Sequence, residues 1–173
     1  ILSHAEPTAR IETADLATAL AAVSPTTGYN ATDGAVLRAQ QRAGGGVFAG
    51  AGSHVPMSIG KRFLHLHRLT CAQDYENCAQ LSLMYYALSS DGLTAPLTIA
   101  ASQNLANSPA FVSQFFLGPA TYNGALLPGL TNVEVDFGTR YTVKRHDGDV
   151  WAQEGSIVQR MPVFRLTFDE LDN

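Results

Sequence analysis

Residues 131–144 read Thr131-Asn132-Val133-Glu134-Val135-Asp136-Phe137-Gly138-Thr139-Arg140-Tyr141-Thr142-Val143-Lys144. Val133, Val135, Phe137, Tyr141 and Val143 fall on odd positions, and Asn132, Glu134, Asp136, Thr142 and Lys144 on even ones. A period of two belongs to a strand with one face in a core and the other in water. The stretch therefore predicts one long half-buried strand over 131–146, with Gly138 as a bulge. Asp147-Gly148 follows as a tight reversal, because glycine takes the positive φ that primed hairpin turns require. The return over 149–168 turns Val150 and Ile157 inward. After Met161-Pro162 it brings Phe164, Leu166 and Phe168 onto the apolar face. The acidic tail 169–173 is expected in solvent.

Upstream the same repeat continues. Phe63, His65, His67, Leu69 and Cys71 alternate over 63–71, and Leu81, Leu83, Met84, Tyr85, Tyr86 and Leu88 fill a second apolar strand over 79–89. Asp91-Gly92 closes that strand with a turn, and a short strand follows over 97–101. Helical spacing is confined to two places. Leu16, Leu20 and Val23 lie at i, i+4 and i+7 behind the capping candidates Thr13 and Asp15, predicting a helix over 13–23 that stops at Pro25 and Gly28. Ser108-Pro109 reads as the start of a second helix, 108–116, which carries Phe111, Val112, Phe115 and Phe116. Residues 1–10 lack periodicity and read as an N-terminal arm, leaving 11–173 as a single β-rich domain. The fold class is mainly β: an antiparallel β-sandwich or barrel flanked by one or two short α-helices.

Of 173 residues, 46% are hydrophobic and only 15% charged, against about 25% charged in an average globular chain. That excludes intrinsic disorder and implies that part of the surface is covered by other chains. The net charge of −4 argues against a basic nucleic-acid-gripping domain. No stretch reaches the ~18 apolar residues of a membrane helix. Catalytic patterns are missing as well. Gly44-Gly45-Gly46 is not followed by Lys-Ser/Thr, so it is no phosphate-binding loop. GxSxG does not occur, and Asp147-Gly148-Asp149 lacks the other ligands of a calcium loop. Cys71 and Cys78 have the wrong spacing for CxxC chemistry; they form either one local bridge or, the preferred reading, two half-buried thiols. His65 and His67 point the same way on an ideal strand, but a metal site needs a third ligand, and no metal or cofactor is expected. Trp151 is an interface or core anchor, or else a sugar-stacking platform together with Tyr85, Tyr86 and Tyr122. Candidate inter-subunit contacts are Gly44, Gly45, Gly46, Gly50, Gly52 and Trp151.

One resemblance sharpens this. Phe116-Leu117-Gly118-Pro119, Asn123-Gly124, Leu130, Val133-Glu134-Val135-Asp136-Phe137-Gly138, Asp147-Gly148-Asp149-Val150-Trp151 and Met161-Pro162-Val163-Phe164-Arg165-Leu166 together resemble virion structural proteins of tailed bacteriophages, especially tail-tube subunits. Ser90-Asp91-Gly92 and Pro96-Leu97 extend the likeness, so that it covers residues 90–169. The resemblance implies a non-enzymatic β-sandwich that assembles with copies of itself into hexameric rings. The rings would stack into a tube through which DNA passes without sequence-specific binding. The protein would then reside in the virion, after assembly in the host cytoplasm, beside other virion proteins. A negative charge balance suits such a conduit, since a basic lumen would hold DNA through counterion release. The glycine-rich stretch 44–53 and the arm 1–10 are the expected bridges to neighbours. The closest alternative is a capsid decoration or head-completion protein, and from another class a carbohydrate-binding β-sandwich.

Overall fold

The computed structural model describes residues 6–23, 29–31, 35–39, 55–73, 78–100 and 114–169. The fold is mainly β and antiparallel, with one short helix among the described residues, as the alternation predicts. Its principal sheet has the order β1 (Thr8–Thr13), β6 (Gln80–Leu88), β5 (Lys61–Ala72), β10 (Leu130–Asp136), β13 (Val163–Phe168). A short β2 (Tyr29–Ala31) pairs with the first half of β5. Three smaller sheets accompany it: β3 (Ala35–Ala39) with β4 (Val55–Ile59) and β7 (Leu97–Ile99); the hairpin β8 (Thr121–Tyr122) with β9 (Ala125–Leu126); and the ribbon β11 (Thr139–Lys144) with β12 (Glu154–Arg160). Among the described residues the principal sheet does not close into a barrel, and β1 and β13 are its edges.

The helix among the described residues, α1 (Leu16–Ala22), starts later than its apolar spacing suggests, because Thr8–Thr13 pair with β6 as a strand. Thr8–Arg10 thus belong to the sheet and not to the arm. Asp15 is the cap: its Oδ1 accepts from the Thr18 N–H at 3.1 Å, satisfying one of the donors a helix start leaves free. Of the expected second helix, 108–113 lie outside the described residues, and 114–116 are irregular chain. No helix is long and apolar enough to cross a membrane among the described residues.

Two cores flank the sheet. On its front face α1 packs Ala19 and Val23 over Leu64, Leu66, Leu81, Leu83 and Tyr85. On its back face the β11–β12 ribbon covers Phe63, Tyr86 and Leu88, with Ala152, Val143 and Ile157 contributed from the ribbon side. Strand β5 serves both cores through an irregularity that its sequence does not announce. Leu66 pairs with Leu83 and Arg68 with Ser82, leaving His67 unpaired as a bulge. One extra residue reverses the alternation. Phe63 lies opposite Tyr86 on the back face, whereas Leu69 lies opposite Leu81 on the front. The single face predicted for Phe63, His65, His67, Leu69 and Cys71 is therefore split in two, and His65 and His67 do not form a same-face strand pair.

The predicted long strand over 131–146 is likewise divided. It breaks at Phe137-Gly138, so that β10 joins the principal sheet and β11 the ribbon. Gly138 is the crossing point and not a bulge within one strand. It has φ +52°, its N–H donates to Asp136 Oδ1 at 2.8 Å, and a Cβ there would overlap the Met161 carbonyl. Only glycine meets both demands at once.

Candidate assembly surface

The front face loses its cover toward one edge. A single row across the sheet runs Thr13, Leu81, Leu69, Val135, Phe164. Along it the exposed fraction goes from 0% at Leu81 to 9% at Val135 and 66% at Phe164. Leu166 and Phe168 share that side of β13, opposite Val133 and Leu130, and are each 45% exposed. The sequence puts these three residues on the apolar face and the structure agrees. However, α1 packs on the far half of the sheet, so the expected burial does not follow. All six residues of β13 are exposed.

The backbone of β13 is open on the same side. The Asp169 N–H donates to Gly129 O at 2.8 Å and the Thr167 carbonyl accepts from Thr131 Oγ1 at 3.2 Å, so odd-numbered residues direct their peptide groups toward β10. Strand alternation then points the N–H and C=O of Phe164, Leu166 and Phe168 outward, where no described strand pairs with them. On the back face Arg165 is held to Glu134 at 3.5 Å, and Arg68 reaches the same carboxylate at 3.8 Å. The opposite edge is differently equipped. Arg10 and Glu12 of β1 pair at 2.9 Å, and Glu6 just before it approaches Arg145 at 4.0 Å. Charges of this kind blunt an edge against strand addition, and β13 has only Arg165 within its span.

The remaining candidates are not gathered into one place. His65 is 2% exposed, inside the back-face core, with its ring stacked on Tyr86 at 5.8 Å and beside Tyr141 at 5.3 Å. Its Nδ1 donates to the Leu66 carbonyl at 3.0 Å while Nε2 has no hydrogen-bond partner. Burial, the largest cause, moves its pKa below the usual histidine value. His67 sits at the bulge, where its carbonyl accepts from the Phe137 N–H. Among the described residues no three His, Cys, Asp or Glu side chains converge as a metal site would require. Tyr85 and Tyr86 are buried on opposite faces of β6, so neither presents a ring to a sugar. Tyr122 is exposed at the β8–β9 hairpin, and Trp151 is half-buried with its backbone N–H donating to the Gly92 carbonyl at 2.9 Å. Burial and a hydrogen bond with Tyr141 push the Tyr86 phenol up.

Both predicted turns are present. Asp91 accepts from the Leu93 and Thr94 N–H groups at 2.9 and 2.7 Å and from the hydroxyls of Thr94 and Ser89, contacts that hold its carboxyl well below the usual range. Asp149 accepts from the His146 N–H and from Gln153, which makes it a turn-binding carboxylate. Cys71 and Cys78 are free thiols, both half-buried. Gly44, Gly45, Gly46, Gly50 and Gly52 lie outside the described residues, as do arm residues 1–5. Compared with known proteins, the sequence matches no family model and no curated relative.

Proposed function

We propose that this chain is a self-assembling structural subunit whose role is carried by an array of copies, and that the array is the tail tube of a tailed-phage particle. The observation that carries the first half is the edge of β13, where Phe164, Leu166 and Phe168 lie exposed beside backbone groups that no described strand pairs. A soluble domain ordinarily blunts or covers such an edge. The low charge content supports the same reading. The second half rests on the sequence resemblance over residues 90–169. In that setting the subunits form stacked rings, and the net charge of −4 lets DNA pass without being held.

Negative-stain electron microscopy of the purified chain, with light scattering at two concentrations, tests both halves. Rings or tubes are the expected result. A chain that remains monomeric at high concentration and forms no ordered particle would refute the reading, and binding of monomers to a preformed capsid shell would replace the tube with a decoration role.

A further inference from the structure

We infer that β13 is a seam between two copies of this chain, each adding its β13 antiparallel to the other's around a two-fold axis at Leu166. The inference rests on the self-assembly reading and specifies the surface and symmetry of one contact. Because the outward peptide groups belong to Phe164, Leu166 and Phe168, antiparallel addition must set even-numbered residues opposite even-numbered ones. Centring the pair on Leu166 uses all three. Leu166 then faces its own counterpart, and Phe164 faces Phe168 in both directions. About six backbone hydrogen bonds close the junction. The same register places Arg165 opposite Thr167, so no like charges meet.

Size supports a pair. Taking about 200 Å² for a whole large apolar residue, the exposed fractions of Met161, Val163, Phe164, Leu166 and Phe168 amount to roughly 500 Å² per copy. Two copies thus offer at most about 1,000 Å² of apolar surface between them, which reaches the threshold for a specific interface. The apolar row that thins out from Leu81 to Phe164 would continue into the Phe168 of the partner instead of ending in water. The charged β1 edge offers no comparable surface, which favours like-to-like pairing over a head-to-tail contact of β13 on β1. An isologous seam closes on itself. The pair would therefore be the unit from which a larger array is built.

Leu166→Pro separates this seam from the fold, because the N–H it deletes faces the open edge and not β10. Phe164→Lys is the second variant, setting a charge against the apolar Phe168 of the other copy at both ends of the junction without changing the backbone. Sedimentation velocity from 1 to 200 µM would read the association, and circular dichroism the fold. We expect wild-type dimers, and at least a tenfold weaker association in each variant with an unchanged spectrum. In a chain with Cys71 and Cys78 replaced by serine, Leu166→Cys should form a disulfide-linked dimer under mild oxidation. If the wild type associates but both variants associate equally well, or Leu166→Cys gives no cross-link, the seam lies elsewhere while self-assembly stands. A cross-link between Leu166→Cys and Glu12→Cys would instead establish the head-to-tail contact and overturn the two-fold. A wild-type chain monomeric throughout the range overturns seam and self-assembly together.

Discussion

Gly155→Ala should be the most informative single methyl in this protein. Gly155 is buried on β12, where the ribbon meets the back face of the principal sheet, and its φ is not in the left-handed region. On conformational grounds alone, alanine in a strand would be favoured over glycine by about 0.5–1 kcal/mol. Sterics reverse the sign. A Cβ at this position would overlap the Phe63 ring and lie 2.7 Å from Phe63 Cβ, against an ordinary carbon contact of about 3.5–4.0 Å. The ring could swing aside, but the Phe63 Cβ is fixed to its strand, so β12 must retreat by roughly 1 Å. That gap forfeits a quarter to a half of the dispersion energy along the contact. Overpacking of this kind costs about 1–3 kcal/mol, and a backbone-linked clash against a residue with no exposed surface belongs at the upper end, about 2–3 kcal/mol. In a domain this size that lowers Tm by about 4–12 °C. Urea and thermal unfolding followed by circular dichroism would measure it. Phe63→Ala alone should cost about 3–5 kcal/mol. That background removes the ring but keeps the Phe63 Cβ, so only part of the clash is relieved and the double variant should be more stable than additivity predicts by about 1 kcal/mol. A neutral Gly155→Ala, or strict additivity with Phe63→Ala, would refute the claim that this glycine sets how closely the ribbon docks.

Three further outcomes are expected. His65 is neutral in its buried site and has a pKa below the unfolded value of 6.5, so the unfolded chain binds its proton first as pH falls. Stability should then decline from about pH 6.5 down toward the folded pKa, with a slope approaching 1.4 kcal/mol per pH unit from this residue. His65→Phe should flatten that slope in urea titrations between pH 7 and 5, and an unchanged slope would acquit His65. Gly138→Ala combines left-handed backbone with a clash on the Met161 carbonyl and should destabilise by about 3 kcal/mol or more, read from the same unfolding curves. Denatured without reductant, the chain should release two thiol equivalents to Ellman's reagent, and none would mean that Cys71 and Cys78 are bridged.

Much of the strand content was legible because alternation is a direct imprint of a two-sided sheet. Residues 80–88 and 163–168 carry it, and Asp91-Gly92 and Asp147-Gly148 mark chain reversals with glycine at positive φ. What alternation cannot report is a shift of phase between two apolar faces. Before His67 both faces of β5 carry hydrophobic residues or histidine, Phe63 and His65 on one and Leu64 and Leu66 on the other, and the odd-numbered run goes on through Leu69 and Cys71, so an inserted bulge leaves the pattern plausible. At Gly138 the odd-numbered apolar run persists although the chain changes sheets, because both sheets need an apolar face. For the same reason the candidate site was only half visible. The period shows that Phe164, Leu166 and Phe168 share a side, but their exposure depends on where α1 packs, a fact of tertiary layout. The helix boundary erred through competition: Thr8–Thr13 have partners on β6 that a local reading cannot see.

The junction of β5 with β10 joins parts of the chain that are made at different times. Strand β5 ends at Ala72 and β10 begins at Leu130, so a ribosome working at 5–20 residues per second adds the intervening ~60 residues in about 3–12 s. The β5–β6 hairpin, local in sequence, can close during that interval. The half of β5 that will receive β10 then waits with its backbone unpaired. Arg68 and the His67 bulge lie on that stretch, and a charge together with a local twist are features that discourage a stray strand from adding there. The bulge that lets one strand serve two cores would thus also guard a nascent polypeptide until its last partner emerges.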